Sequence, residues 1–85
     1  MHVYESAVLR IRVVAEADPG ALVRTLQFLQ ARNLVPRGVT SQRLGNEYLE
    51  IGIEIDTADC TIETLSLVIA KLNELPIVVA AVACE

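Results

Sequence analysis

The chain has 85 residues and a formal net charge of −4 at pH 7, with one histidine, two cysteines and 4% aromatic residues. This length fits a single domain over residues 1–85, small enough that a partner subunit would add to its stability. The acidic balance and the scarcity of aromatic side chains exclude a phosphate-binding or base-stacking surface, so nucleic acid is not an expected partner.

The first residues and the cysteines indicate the cellular setting. No basic segment followed by an apolar one opens the chain, and the longest apolar run, Ile77 to Cys84, is too short to span a bilayer. Cys60 and Cys84 stand at no metal-ligand spacing, which favours two reduced thiols over a disulfide. We therefore expect a cytoplasmic protein with no membrane contact, metal or cofactor.

The first predicted elements are a strand and a helix. Apolar and polar residues alternate from Ala7 to Ala15, which is the period of a strand buried on one face. Asp18 suits an N-cap and Pro19 suits the start of a helix. The apolar stripe of this helix contains Leu22, Thr25, Leu26 and Leu29. The helix ends near Asn33, a residue that tolerates the left-handed C-cap conformation.

The turn at the start of this helix has two interpretations. Gly20 lacks a Cβ, so a ligand could approach first-turn amides that carry the positive end of the helix dipole. This describes a site for an anion or a carboxylate. Asp18-Pro19-Gly20 is also good capping chemistry with no ligand at all.

A hairpin follows the first helix. Val35 to Leu44 is predicted as an edge strand, because Pro36 has no amide to donate to a ladder. Gly45-Asn46 then turns the chain into a cleanly alternating strand from Tyr48 to Asp56.

Two registers of this hairpin are compatible with the pattern. A two-residue turn would point Gly38 and Thr40 toward the core. A three-residue loop would point Val35 and Val39 there instead, and we favour it because it buries more apolar surface.

The last two elements are a helix and an apolar strand. Several N-cap candidates lie between Thr57 and Thr61, and apolar residues at helical spacing continue from Ile62 until Pro76 ends the helix. The strand from Ile77 to Cys84 is apolar on both sides. Its edge would be prone to pair with another chain unless something covers it.

The order of elements predicts an α+β fold, a ferredoxin-like βαββαβ two-layer sandwich with both helices on one face of a four-stranded antiparallel sheet. Strands one and three are central, and strands two and four are edges. On the open face, Arg10 and Arg12 would lie beside Glu50 and Glu54. We expect exposed ion pairs there rather than a site.

No catalytic constellation follows from this layout. The single histidine, His2, is near the chain end, and the carboxylates are scattered over exposed faces and helix caps. Cys60 lies near the start of the second helix, where a helix terminus would lower its pKa, but no second residue is positioned to act with it. We expect a structural or incidental thiol and a protein that is not an enzyme.

The run Asp18-Pro19-Gly20-Ala21-Leu22, between an apolar strand and a helix ending in Gln30-Ala31-Arg32-Asn33-Leu34, resembles the ACT domain. The resemblance covers nearly the whole chain, including the hairpin at Gly45-Asn46. Members typically bind an amino acid at a dimer interface and regulate enzymes of amino-acid metabolism. Among stand-alone members, the chain is most similar to the small regulatory subunit of acetolactate synthase, at Gly20–Arg24, at Ala31–Leu34 and at Lys71–Leu75.

This resemblance implies a composite ligand site. One wall would be the turn that consists of Asp18, Pro19, Gly20, Ala21 and Leu22. The other would be the start of strand two in a partner subunit, here Val35 and Pro36. Amino-acid-sensing members tend to hold the charged groups of the ligand with asparagines just before the turn and at the start of strand two. This chain has Ala17 and Val35 there.

Three functions are compatible with these observations. In the first, a homodimer binds an amino acid, with a branched-chain amino acid as the leading candidate, through backbone amides and Asp18. In the second, the pocket is empty and the domain is a protein-interaction subunit that activates or stabilises a catalytic partner such as acetolactate synthase. The third, a small enzyme, is supported by the fold alone. Phe28 and Leu67 point away from the stripes of their helices; such residues can mark a contact surface, but scattered apolar residues are also normal on a protein surface.

Overall fold

The computed structural model describes residues 8–84, whose six elements follow the predicted order. The strands are β1 (Val8–Glu16), β2 (Gly38–Leu44), β3 (Tyr48–Asp56) and β4 (Val78–Cys84), and the helices are α1 (Gly20–Ala31) and α2 (Ile62–Asn73). The predictions made for residues 1–7, which include His2 and Ala7, fall outside the described residues.

The strands form one antiparallel sheet in the order β2-β3-β1-β4. β1 and β3 are therefore the central strands and β2 and β4 the edges, which confirms the predicted ferredoxin-like topology. Alternate residues of the central strands and the buried stripes of both helices join in one apolar core. The central strands contribute Ile11, Val13, Ala15, Ile51, Ile53 and Ile55, each at most 1% exposed.

The buried stripe of α1 lies slightly off its predicted position. Ala21, Thr25 and Leu29 are buried, whereas Leu22 and Leu26 are half-buried against the core. The hydroxyl of buried Thr25 donates to the carbonyl of Ala21 at 2.8 Å, so this polar group is satisfied inside the helix.

The outer faces of the helices confirm the predicted direction of one of these two side chains. Leu67 is 56% exposed, as expected. Phe28 is half-buried and packs against the core, so the prediction that it points toward solvent is wrong. Aromatic side chains are long enough to fold back over a core edge even from the flank of a helix.

The open face of the sheet carries the predicted ion pairs. Arg10 Nε donates to Glu54 Oε2 at 2.9 Å, and these two residues stand directly opposite each other in the register. Arg12 donates to Glu50 along the diagonal. All four side chains keep contact with solvent, so the pairs fix the register more than they stabilise the fold.

The hairpin adopts the favoured register. Leu44 pairs with Tyr48, which leaves Gly45, Asn46 and Glu47 as a three-residue loop. Gly45 has a φ of 64°, in the left-handed region that glycine adopts at no cost. Val39 consequently lies opposite the buried Ile53, on the core face.

The predicted start of β2 is wrong. The strand begins at Gly38 rather than at Val35, and Val35 is 77% exposed instead of pointing inward. Pro36 explains the difference, because it has no amide for the ladder and interrupts the pairing that an earlier start would need.

The end of α1 matches its predicted chemistry. Asn33 has a φ of 59°, its amide donates to the carbonyl of Gln30 at 2.9 Å, and the amide of Leu34 donates to the carbonyl of Leu29 at 2.9 Å. A left-handed asparagine therefore satisfies the last carbonyls of the helix and reverses the chain toward β2.

The stability of variants at Asn33 should depend on how well the new residue tolerates the left-handed conformation. We expect Asn33→Val to lower the free energy of unfolding by about 1 to 2 kcal/mol, because a left-handed conformation costs a β-branched residue roughly that much. Asn33→Gly should unfold at the wild-type urea concentration or above. Equal urea midpoints for the two variants would contradict this account of the helix end.

Candidate functional site

The turn between β1 and α1 is anchored on both sides. The amide of Glu16 donates to the carbonyl of Ile77 at 2.9 Å, and the amide of Ala17 donates to the carbonyl of Glu47 at 2.9 Å. The first bond ties the turn to the start of β4 and the second ties it to the hairpin loop. The position of the turn is thus set by the sheet.

Asp18 caps the first turn of α1 in a different way from the one predicted. The residue at the N-cap position is Pro19, with a helical φ of −57°, and α1 begins at Gly20. The amide of Gly20 donates to Asp18 Oδ1 at 2.7 Å, and the amide of Ala21 donates to the carbonyl of Asp18 at 3.0 Å. Because Pro19 already has helical geometry, the Asp18 carboxylate reaches the amide two residues on, as in an Asx turn.

This cap changes what the turn offers to a ligand. The Gly20 amide already has an acceptor, so an incoming carboxylate would compete with Asp18 for it. A Cβ at Gly20 would lie 3.2 Å from Asp18 Oδ1, tight enough that the cap itself favours glycine. The accessible charge at the turn is therefore the Asp18 carboxylate, which suits the ammonium group of a ligand.

The predicted ligand-contact residues differ in accessibility. Asp18 and Pro19 are exposed, Gly20 and Leu22 are half-buried, and Ala21 is only 1% exposed. On the predicted opposite wall, Val35 is exposed and Pro36 is half-buried. These two residues lie in the connection between α1 and β2, outside the strand.

The two predicted walls lie at opposite ends of α1 within one chain. The helix has 12 residues and is therefore about 18 Å long. Beside Asp18 is a depression of about 460 Å³, which is lined by Glu16, Ala17, Glu47, Tyr48 and Val79. Val35 and Pro36 line another depression of about 290 Å³, together with Leu26, Gln30 and Leu34. A single chain does not bring the walls together.

The depression beside Asp18 is acidic. Glu16, Asp18 and Glu47 all line it, together with the Tyr48 side chain. Glu47 and Tyr48 were not predicted for this site; the pairing of Glu16 with Tyr48 across β1 and β3, which brings them there, is visible only in the folded chain. Among residues 8–84 no group of acidic, histidine or cysteine side chains is arranged to hold a metal ion.

A further depression of about 420 Å³ lies on the open face of the sheet. Gly38 and Gly52 form part of its lining, and the Arg10–Glu54 and Arg12–Glu50 pairs flank it. A Cβ on Gly52 would come within 2.7 Å of Thr40 Oγ1, so this glycine makes room for a neighbouring side chain. Each flanking charge already has a partner of opposite sign, and the surface needs no ligand to explain it.

The two cysteines are free and differ in environment. Cys60 is 6% exposed, and its thiol donates to the carbonyl of Thr61 at 3.3 Å. Burial raises the pKa of this thiol, so the suggestion of a lowered pKa is wrong: desolvation of the thiolate outweighs the nearby helix terminus. The N-cap of α2 is Thr61, which accepts from the amide of Thr64. Cys60 is thus a structural thiol, as expected.

Comparison with known proteins supports the fold. No protein-family model and no curated protein matches the chain. Within residues 8–84, no helix has the length and apolar character needed to cross a membrane.

Solved structures share this architecture. The ACT domain from GTP pyrophosphokinase of Chlorobium tepidum superposes with a TM-score of 0.75 at 14% identity, over 94% of this chain and 100% of that one. The C-terminal domain of the MgtC protein from Mycobacterium tuberculosis gives 0.75 at 17% identity, over 99% and 92%. The ligand-free regulatory subunit of aspartate kinase from Thermus thermophilus gives 0.72 at 16% identity, over 94% and 52%. The chain therefore has the ACT-like ferredoxin fold.

Thiol labelling should distinguish the two cysteines. Under native conditions at pH 8 we expect a thiol-reactive probe to modify exposed Cys84 and to leave Cys60 unmodified until the protein unfolds, because the buried thiol is both protonated and covered. Cys84→Ser should abolish the fast phase. Fast labelling of that variant would contradict the structural role of Cys60.

The pH dependence of stability follows from the same thiol. Because folding raises the pKa of Cys60, its contribution to stability is complete below the ordinary cysteine pKa and declines as the pH rises above it. We expect Cys60→Ala to show a smaller loss of stability between pH 8 and pH 10 than the wild type, measured by urea unfolding. Parallel losses would contradict this linkage.

Proposed function

We propose that the chain is a regulatory, non-catalytic ACT domain that binds an amino acid at the interface of a homodimer and modulates an enzyme of amino-acid metabolism. Support comes from the fold, which is that of an ACT domain from GTP pyrophosphokinase and of a regulatory subunit of aspartate kinase. A non-catalytic role agrees with the structural position of Cys60. The proposed setting is the cytoplasm, where free thiols stay reduced.

The geometry of the β2 edge carries this proposal. Leu44 pairs with Tyr48, and Tyr48 pairs with Glu16, so the Leu44 end of β2 is at the same end of the sheet as Asp18. No strand of residues 8–84 lies on the outer side of β2. Antiparallel pairing of two β2 edges about a two-fold axis would set the partner's Gly38 end beside Leu44. The partner's Val35 would then reach the Asp18 end.

The residues of this composite site favour an apolar amino acid. Asp18 would accept the ammonium group, and first-turn amides of α1 beyond Ala21 would donate to the carboxylate. Val35 exposes 77% of its surface in one chain and would be covered by an aliphatic ligand side chain. These features support a branched-chain amino acid as the ligand. No metal or organic cofactor takes part.

The proposed target enzyme is acetolactate synthase. The support is the resemblance of Gly20–Arg24, Ala31–Leu34 and Lys71–Leu75 to the small regulatory subunit of that enzyme. Ligand binding at the dimer interface would act by shifting the population of enzyme-competent conformations.

A second function is favoured by one observation. The Gly20 amide is already capped by Asp18, and neither Ala17 nor Val35 offers a polar side chain to a zwitterion. The domain would then be a ligand-free subunit that activates or stabilises a catalytic partner. Exposed apolar residues on α2, Ile62 at 70% and Leu67 at 56%, would supply contact area. If this function is right, the chain should co-purify with the enzyme, and the enzyme should be less active without the chain.

The ligand site is tested by an amide NMR titration of the labelled protein with amino acids in pools. Binding should shift the amides of residues 18–22 and 35–37. Asp18→Asn keeps an oxygen for the Gly20 amide but removes the charge, and should weaken binding by about tenfold or more, as expected for a charged hydrogen bond. Glu63→Gln, in the first turn of α2, is the matched control and should bind normally. The absence of shifts in every pool would favour the ligand-free subunit.

The homodimer is tested at Ser41, in the middle of β2. The amide of Ala81 donates to Asn73 and not to Val13, which stands opposite it, so the backbone groups of Val13 form hydrogen bonds with Ile51 on the other side. Ile51 therefore makes no hydrogen bond to Ser41, its neighbour on β2, and the Ser41 amide points to the outer side of the sheet. Ser41→Pro removes this donor without breaking a β2–β3 bond and should give a monomer by sedimentation.

Ser41→Ala retains the amide and serves as the control. It should remain a dimer at the same concentration. A dimeric Ser41→Pro, or a wild type that stays monomeric at high micromolar concentration, would contradict pairing through β2.

A further inference from the structure

The outer edge of β4 is occupied by a side chain of α2. Asn73 is the last residue of α2, and its Nδ2 donates to the carbonyl of Ala81 at 2.9 Å. The amide of Ala81 donates to Asn73 Oδ1 at 2.9 Å. A carboxamide has the same donor and acceptor as a peptide group. Asn73 therefore makes the pair of bonds that a residue of a neighbouring strand would make.

The carboxamide is held in this orientation from its own helix. Nδ2 also donates to the carbonyl of Ile69 at 3.1 Å, one turn earlier. Both hydrogens of the amide group thus have acceptors, and the oxygen has the Ala81 donor. Every group that Asn73 presents to the edge is satisfied, which fixes its position without help from a partner chain.

A second feature of β4 acts in the same direction. The register between β1 and β4 shifts between Val14 and Ala15, so Val79 is an extra residue on β4. Such a bulge bends the edge and disrupts regular pairing. The extra residue, Val79, is two residues before Ala81, which Asn73 binds. A second chain adding to β4 would have to displace Asn73 and follow the bulge.

The β2 edge has neither feature. Its seven residues pair with β3 in continuous register, without a bulge. Within residues 8–84 no side chain is hydrogen-bonded to the outward backbone groups of Val39 or Ser41. The two edges of the sheet therefore differ in their readiness to accept another strand.

This difference has a consequence for assembly. A chain with two open edges can add head to tail, β2 on β4, and such contacts do not close but build open filaments. A chain with one open edge can only pair that edge with its equivalent, which stops at two subunits. Apolar strands such as β4, with Val79 at 58% and Val82 at 49% exposed, make the first outcome hazardous.

We propose that Asn73 acts as a strand surrogate that closes the β4 edge against a second copy of this chain. Self-association is thereby confined to β2 and stops at a dimer. The closing of β4 depends only on the contacts of Asn73, whereas the limit at a dimer rests on the β2 pairing proposed above.

The test compares the sedimentation of four proteins over a range of concentrations. Asn73→Ala opens the edge, and its weight-average mass should rise with concentration to about twice that of the wild type or more, because each added β4 contact joins two assemblies. Gln27→Ala removes an exposed carboxamide from α1 and should sediment like the wild type.

Asn73→Asp separates edge opening from simple loss of stability. Its carboxylate can still accept from the Ala81 amide, and a charge on an edge opposes strand addition. A negative charge at the end of α2 destabilises the helix, so this variant loses stability without gaining an open edge. It should keep the wild-type mass.

Hydrogen exchange of the Ala81 amide shows whether Asn73→Ala associates through the β4 edge. In dilute Asn73→Ala this amide should exchange faster than in the wild type, and it should become protected again as the variant associates. The proposal is overturned if folded Asn73→Ala keeps the wild-type mass, if Asn73→Asp associates equally, or if the Ala81 amide stays unprotected in the assembly. A monomeric wild type would overturn the β2 dimer but not the closing of β4. The closing of β4 is tested by the difference in mass between Asn73→Ala and the wild type.

Discussion

The antiparallel register of β1 with β3 is the constraint on which the rest of the structure depends. It places Ile11 and Val13 beside Ile53 and Ile51 on the buried face, and Arg10 beside Glu54 on the open face. A slip by one residue would exchange the two faces and bury charges, so this register is strongly specified. Through the pairing of Glu16 with Tyr48, the same register brings the hairpin loop next to the turn that precedes α1.

The chemistry of that turn follows from its capping. Asp18 occupies the Gly20 amide at 2.7 Å, and Glu16 and Glu47 border the same depression. The positive helix end is therefore partly neutralised by the chain itself, and an ammonium group is better matched to the surface than a free anion. In the proposed site, the wall at Val35 would come from a second copy of the chain.

Local chemistry made much of the fold predictable. The alternation of β3 gave its bounds, Tyr48–Asp56, and the tolerance of Asn33 for a left-handed conformation gave the end of α1. The start of β2 was misplaced because the missing amide of Pro36 was taken to mark an edge strand rather than to delay it. The pKa of Cys60 depends on burial, and the bond from Asn73 to Ala81 depends on how α2 packs on β4. No local pattern contains either.

The proposed function depends on two copies of the chain completing one site. The most direct measurement is an isotope-filtered NOE experiment on dimers mixed from labelled and unlabelled subunits. A composite site predicts NOEs between the amides of residues 18–22 in one subunit and the methyl groups of Val35 in its partner. Intersubunit NOEs that arise only from β4 or from the outer face of α2, with none to Val35, would contradict it.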